Sequence, residues 1–109
     1  MDSNKLVKFI ELQYPTLAKN EIGEVIQTWV TKQYIWASIE PLTGREKFLA
    51  QQVYTDLTAR IRVRYRSDIN PTMRLLFGHR IFEINAVVNP GERNEELELL
   101  CTERGLGNV

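Results

Sequence analysis

The sequence predicts a mainly all-β fold: a small antiparallel β-barrel of about six strands with one inserted helix. Two periodicities lead to that class. Segments on both sides of the middle of the chain alternate apolar and polar residues, as half-buried strands do, and only residues 43–57 carry a helical spacing. A third observation is the punctuation: turn residues separate the alternating segments at short intervals, as in barrels and sandwiches. Closure into a barrel is favoured for so small a sheet because it removes exposed edges.

The elements follow in order. Residues 5–13 (KLVKFIELQ) alternate loosely and stop at Tyr14-Pro15. Residues 15–25 are expected to form a polar loop around Asn20 and Gly23. Residues 26–41, with Trp29, Val30, Tyr34, Ile35 and Trp36, read as one bent strand or two short ones ended by Pro41. Trp29, Trp36, Tyr34 and Tyr14 are expected in the core, where large aromatic rings are usually found.

In the helical segment, Thr43 is the expected N-cap, and Glu46, three residues on, is placed to close a capping box. Phe48, Leu49 and Val53 fall near one face, a narrow stripe suited to covering one patch of a barrel. Residues 59–66 then alternate without a break: Ile61, Val63 and Tyr65 point one way, and Arg60, Arg62, Arg64 and Arg66 the other. A turn-rich link (67–73) leads to a hairpin over 73–89, with Gly78-His79 as a two-residue turn of type II′ if the glycine takes a positive φ. After a loop at 89–94, the last strand (95–103) turns Leu97, Leu99 and Cys101 inward and Glu96 and Glu98 outward. Residues 104–109 read as a flexible tail to a single domain spanning 1–109.

A chain of 109 residues needs no disulfide or metal to fold. Its 43% apolar and 26% charged residues are ordinary for a globular domain. Fourteen basic residues balance fourteen acidic ones, so bulk charge draws it to no polyanion, and the lack of self-repulsion permits assembly. The sequence shows no long apolar surface stripe that would demand obligate oligomerisation, so a monomeric or weakly associating chain is expected in isolation. The single cysteine, Cys101, lies beside Leu99 and Leu100 and reads as a small buried hydrophobe. No signal-peptide core and no membrane-spanning run is present, and a cytoplasm is the expected compartment.

Catalytic chemistry finds no foothold. His79, the one histidine, sits in the expected turn without partners. There is no CxxC, HExxH, G-x-S-x-G or glycine-rich phosphate loop, and nothing calls for a cofactor or a metal. The alternating arginines are the strongest charge feature. They read either as a solvated strand face balanced by Glu96 and Glu98 on a neighbouring strand, or as a strip facing phosphate or protein.

The order and spacing of several short pieces carry a resemblance. They are Trp36-Ala37, the run PLTGRE at 41–46, Val63 with Arg64-Tyr65-Arg66, Asp68-Ile69, Met73-Arg74, Phe82-Glu83-Ile84 and the loop from Asn89 to Arg93. Between Val7 and Glu103 the chain resembles the head–tail joining family of long-tailed bacteriophages and prophages, which comprises the head-closure, or stopper, proteins. That resemblance implies a small β-barrel with a helix and long loops, and a structural rather than enzymatic role. It implies a ring under the portal and its adaptor that closes the DNA-filled head and docks the tail. The implied partners are a portal-proximal adaptor protein, tail-terminator or other tail proteins, copies of the same chain, and packaged DNA passing through the ring, with no membrane. Localisation would be the host cytoplasm during assembly and the head–tail interface of the mature virion.

On this reading Arg45, Glu46 and Trp36 are subunit-interface candidates, with Arg45 and Glu46 starting an external helix and pairing across a contact. Arg60, Arg62, Arg64 and Arg66 are candidates to face the channel or a neighbouring ring. The competing reading is a free-standing barrel of the OB type that binds single-stranded nucleic acid through its arginine strand. That reading wants aromatic and cationic residues interleaved on one face, and Tyr65 points away from the arginines.

Overall fold

Alternation sends one set of side chains from each strand inward, and here the inward set closes on itself. The computed structural model describes residues 6–53 and 56–105. Its elements are β1 (Lys8–Lys19), β2 (Val25–Pro41), α1 (Gly44–Ala50), β3 (Ala59–Arg64), β4 (Arg74–Phe77), β5 (Arg80–Val88) and β6 (Glu96–Gly105). The strands pair antiparallel around a closed barrel in the spatial order β1-β2-β3-β6-β5-β4. This is the six-stranded barrel with one short helix that the periodicities predict.

The core is built from the inward positions. Ile10 and Leu12, Ile35 and Ala37, Ile61 and Val63, Leu75, Phe82 and Ile84, Leu97, Leu99 and Cys101 meet inside, joined by Ile69 and Met73 from the β3–β4 connection. Each Ile, Leu, Val, Phe or Met side chain among them contributes about 1.5–3 kcal/mol by leaving water. Leu42 and Leu57, which flank the helical segment, are buried. Cys101 is fully buried, and that burial pushes its thiol up to about 12, so it acts as the small hydrophobe expected. At the β4–β5 turn Phe77 pairs with Arg80 across Gly78-His79. Gly78 has φ +62° while His79 does not enter positive φ, as a type II′ turn requires and a type I′ turn forbids.

Four expectations need correction. Residues 15–25 are not a polar loop. β1 runs through Pro15 to Lys19 and pairs with β2 as far as Val25. Proline is tolerated because β4 pairs only with Glu11, Leu12 and Gln13, so beyond Gln13 β1 is an edge. Residues 25–41 form one continuous strand, bulged opposite Leu12 and Gln13. The two strands leave the barrel as a ribbon, and the molecule measures 51 Å along one axis against 27 and 24 Å across. The ribbon ends in a turn in which the Asn20 carboxamide oxygen accepts from the backbone N–H of Ile22 and Glu24 at 3.1 and 2.9 Å.

The second correction concerns the helix. It covers seven residues, and Thr43 takes the N-cap position without a side-chain hydrogen bond. Glu46 forms no capping box, because its carboxylate pairs with Arg60 instead. Phe48, Leu49 and Val53 do not lie on the barrel: they are 64%, 51% and 74% exposed. Residues 54 and 55 of the expected helix lie outside the described residues.

Third, the four aromatic residues expected in the core lie outside it, Trp29 half-buried and the others exposed. Ile35 and Ala37 take the inward positions of β2, which turns Tyr34 and Trp36 outward with 52% and 54% exposure, and Tyr14 is also exposed. Fourth, Arg104 and Gly105 belong to β6 rather than to a tail, and the remainder of that tail lies outside the described residues.

Candidate functional site

The arginine strip divides in two. β3 lies between β2 and β6, so its outward side chains meet those of both neighbours. Arg62 pairs with Arg62-facing carboxylates on each side: Glu40 at 3.2 Å, Glu96 at 3.3 Å and Glu98 at 2.8 Å. Arg60 meets Glu40 at 3.4 Å, Glu98 at 3.6 Å and the Glu46 carboxylate of α1. Burial lowers the affinity of Arg62 for its proton, but Glu98 and Glu40 outweigh it and hold the pKa above the usual guanidinium value. Arg66 turns back on its own loop and donates two hydrogen bonds to Asp68, at 3.0 and 2.9 Å. Arg64 is exposed and has no carboxylate partner among the described residues.

The three interface candidates also separate. Arg45 is exposed at the start of α1 and makes no ion pair among the described residues. Glu46 is tied to Arg60 within its own chain. Trp36 sits in an exposed aromatic patch on the β1–β2 face, where the Phe9 ring lies 4.8 Å from Trp36 and 5.6 Å from Tyr34. Solvent-exposed stacks of this kind are common at protein interfaces, where aromatic residues are enriched.

Two surfaces escaped the sequence reading. One is the apolar side of α1, where Phe48 and Leu49 are left largely exposed by the described residues. The other is the ribbon, which leaves Leu17, Ile22 and Val25 at 72%, 78% and 62% exposure. Its base is braced. Arg74 lies 4.3 Å from the Trp29 ring and donates to the Gln13 carboxamide oxygen at 2.7 Å. The Gln13 amide in turn donates to Glu11 at 2.7 Å, and the Thr31 hydroxyl donates to the same carboxylate. The legible signal was Asn20 to Gly23, a turn placed symmetrically between apolar-rich segments; Pro15 concealed it.

Among the described residues no cluster of three or more potential ligands is arranged to hold a metal ion. No helix among the described residues is long and apolar enough to cross a membrane. Tyr65, expected to point inward with Ile61 and Val63, lies past the end of β3 and lines a groove with Arg64 and Arg66, but with Arg60 and Arg62 matched by carboxylates the strand lacks the continuous cationic track that the OB reading requires.

Comparison with known proteins agrees with this picture. Residues 1–104 match the family described as phage head completion protein. The chain is 25% identical over 91 residues to the head completion protein gp7 of Enterobacteria phage HK97, covering 79% of this chain and 81% of that one. Among solved structures it is similar to protein SF1141 from Shigella flexneri 2a, with a TM-score of 0.77 and 27% identity over 94% of this chain and 96% of that one. Its fold also matches a chain in the virion of a native gene transfer agent particle, with a TM-score of 0.62 and 20% identity over 93% and 97% of the two chains. The chain belongs to the phage head completion protein family, and its role is that of a structural component of the head–tail connector.

Proposed function

We propose that copies of this chain form a ring beneath the portal-proximal adaptor once DNA has been packaged, close the filled head, and present the face on which the tail docks. The observation that carries this reading is α1 with the turn that follows it: a helix on the outside of a closed barrel, with Phe48 and Leu49 on the helix and Val53 in the turn all facing solvent. Large apolar side chains gathered on one exposed element mark an interaction site. The barrel needs none of them for its own core, so their role lies in contacts with other chains.

In this account the chain acts as one unit over 1–109 and catalyses nothing. It is made in the host cytoplasm, where it is monomeric or weakly associating, and it becomes a ring only on a preformed connector. Arg45 and Trp36 lie at contacts between copies. Arg64, the strip's unmatched cation, faces a partner ring or the packaged DNA that passes through the channel. Tail-terminator or other tail proteins dock on the opposite face.

Deleting the gene and supplying the protein in trans tests the reading. Particles assembled without it are expected to be tailless heads that lose packaged DNA, and wild-type protein is expected to restore tailed particles. Tailed, DNA-filled, infectious particles in its absence would overturn it.

A further inference from the structure

Where β2 leaves β3, the barrel surface opens into a notch. The two strands pair only from Ala37 and Val63 downward, so alternate residues of β2 above that point turn backbone N–H and C=O groups to an edge without a strand. A groove of about 330 Å³ lies there, lined by Tyr34, Trp36, Arg64 and Tyr65 among others. Tyr34, Trp36 and Tyr65 are 52%, 54% and 37% exposed, and Arg64 is the unmatched cation of the strip. The notch is thus aromatic, cationic and bordered by a free strand edge.

The tip of the ribbon has the opposite character. Ile22 is 78% exposed at the turn, next to Glu21 and Glu24. Glu24 is engaged by the Asn20 side-chain amide at 3.0 Å, but Glu21 has no partner among the described residues. The chain therefore carries an apolar, acidic projection and an aromatic, cationic recess. It cannot join them itself: the paired strand between Trp36 and Val25 holds the tip roughly 35 Å from its own notch.

We infer that the ribbon tip of one copy docks in the β2–β3 notch of the next, with Ile22 against Trp36 and Tyr65 and Glu21 against Arg64. The contact joins two different surfaces, so it is heterologous, the type of contact that builds a ring when its rotation closes. It rests on the ring reading above and identifies the surfaces that make the ring.

The test uses two full-length chains, one carrying Ile22→Cys and a tag, the other Tyr65→Cys, co-expressed in cells assembling particles. Both sites are surface positions, and the buried Cys101 does not interfere. A short bis-maleimide is expected to give a product containing one chain of each kind. Adding Glu21→Arg or Arg64→Glu should cut its yield about tenfold, and the two together should restore it to within about threefold, as a charge swap across one contact does. If a lysine-directed cross-linker yields ladders of this chain while the cysteine pair yields nothing, the ring stands and this contact is wrong. If the tip cross-links to a different protein, the contact is likewise overturned. Absence of ladders with both reagents would overturn the ring and the contact together.

Discussion

Arg62 and Glu98 face each other across β3 and β6, with a guanidinium nitrogen 2.8 Å from a carboxylate oxygen. Two residues further along β3, Arg64 pairs in register with Glu96 yet makes no ion pair with it, because Glu96 is taken by Arg62 at 3.3 Å. Similar arginines on one strand thus do different things. Arg62→Gln leaves Glu40, Glu96 and Glu98 gathered without their common cation. It should cost about 1–2 kcal/mol, between the values for exposed and buried pairs. A thermal melt should fall by roughly 5–10 °C. Arg64→Gln should leave the melt unchanged and lower incorporation into particles. A lowered melt with normal infectivity for Arg64→Gln would make it one more framework arginine.

The helix gives a second separation of stability from assembly. Phe48→Ser and Leu49→Ser remove apolar groups that are already in water, so each should change stability by less than about 0.5 kcal/mol. Leu57→Ala empties a fully buried site nearby and should cost about 2–5 kcal/mol. Denaturant titration of the three variants checks this. A large loss for Phe48→Ser would mean that its side chain belongs to the core.

Acid should weaken the fold through two carboxylates. Hydrogen bonds from Arg66 hold Asp68 below the usual carboxylate range, and hydrogen bonds from Arg80 do the same for Glu103. A carboxylate depressed in the folded state contributes stability above its unfolded pKa of about 4, and that stability is lost as pH falls through the lower folded value. Melting temperature should therefore be level from neutral pH down to about 5 and decline below about 4. In an Asp68→Asn, Glu103→Gln variant the decline should be shallower, with a loss of up to about 1 kcal/mol per pair at neutral pH. Identical acid slopes in the two proteins would contradict the assignment.

Cys101 should be silent to thiol reagents. They need the thiolate, and this thiol is fully buried with its pKa raised to about 12. Reaction with a colourless disulfide reagent should proceed only as fast as the chain unfolds, and it should become immediate in denaturant. Fast labelling of the native protein would show that β6 opens locally.

The barrel was legible because its inward positions alternate without interruption, as at Ile61 and Val63 or Leu97, Leu99 and Cys101, each set facing a neighbour with the same phase. The ribbon was not. Its faces mix Leu17 with Gln27 and Ala18 with Ile26, so no buried side imposes a pattern, and Pro15 sits where strands usually end. The aromatic residues misled for a related reason. Trp36 and Tyr34 look like core by type, but the phase of β2 is set by Ile35 and Ala37. Of the site, the arginine strip and its glutamates were legible, whereas the split between Arg62 and Arg64 was not: Glu96 turns from its register partner Arg64 to Arg62, and Glu40 reaches Arg62 only through the β2–β3 register.

The central claim is that this chain is a ring component between head and tail, and electron cryo-microscopy of the neck of assembled particles tests it most directly. The account predicts a ring of barrels of this shape between the portal-proximal adaptor and the tail, with α1 covered by a neighbouring chain and an open or DNA-filled channel at the centre. A neck complete without this chain, or copies present there with α1 facing solvent and no ring formed, would contradict it.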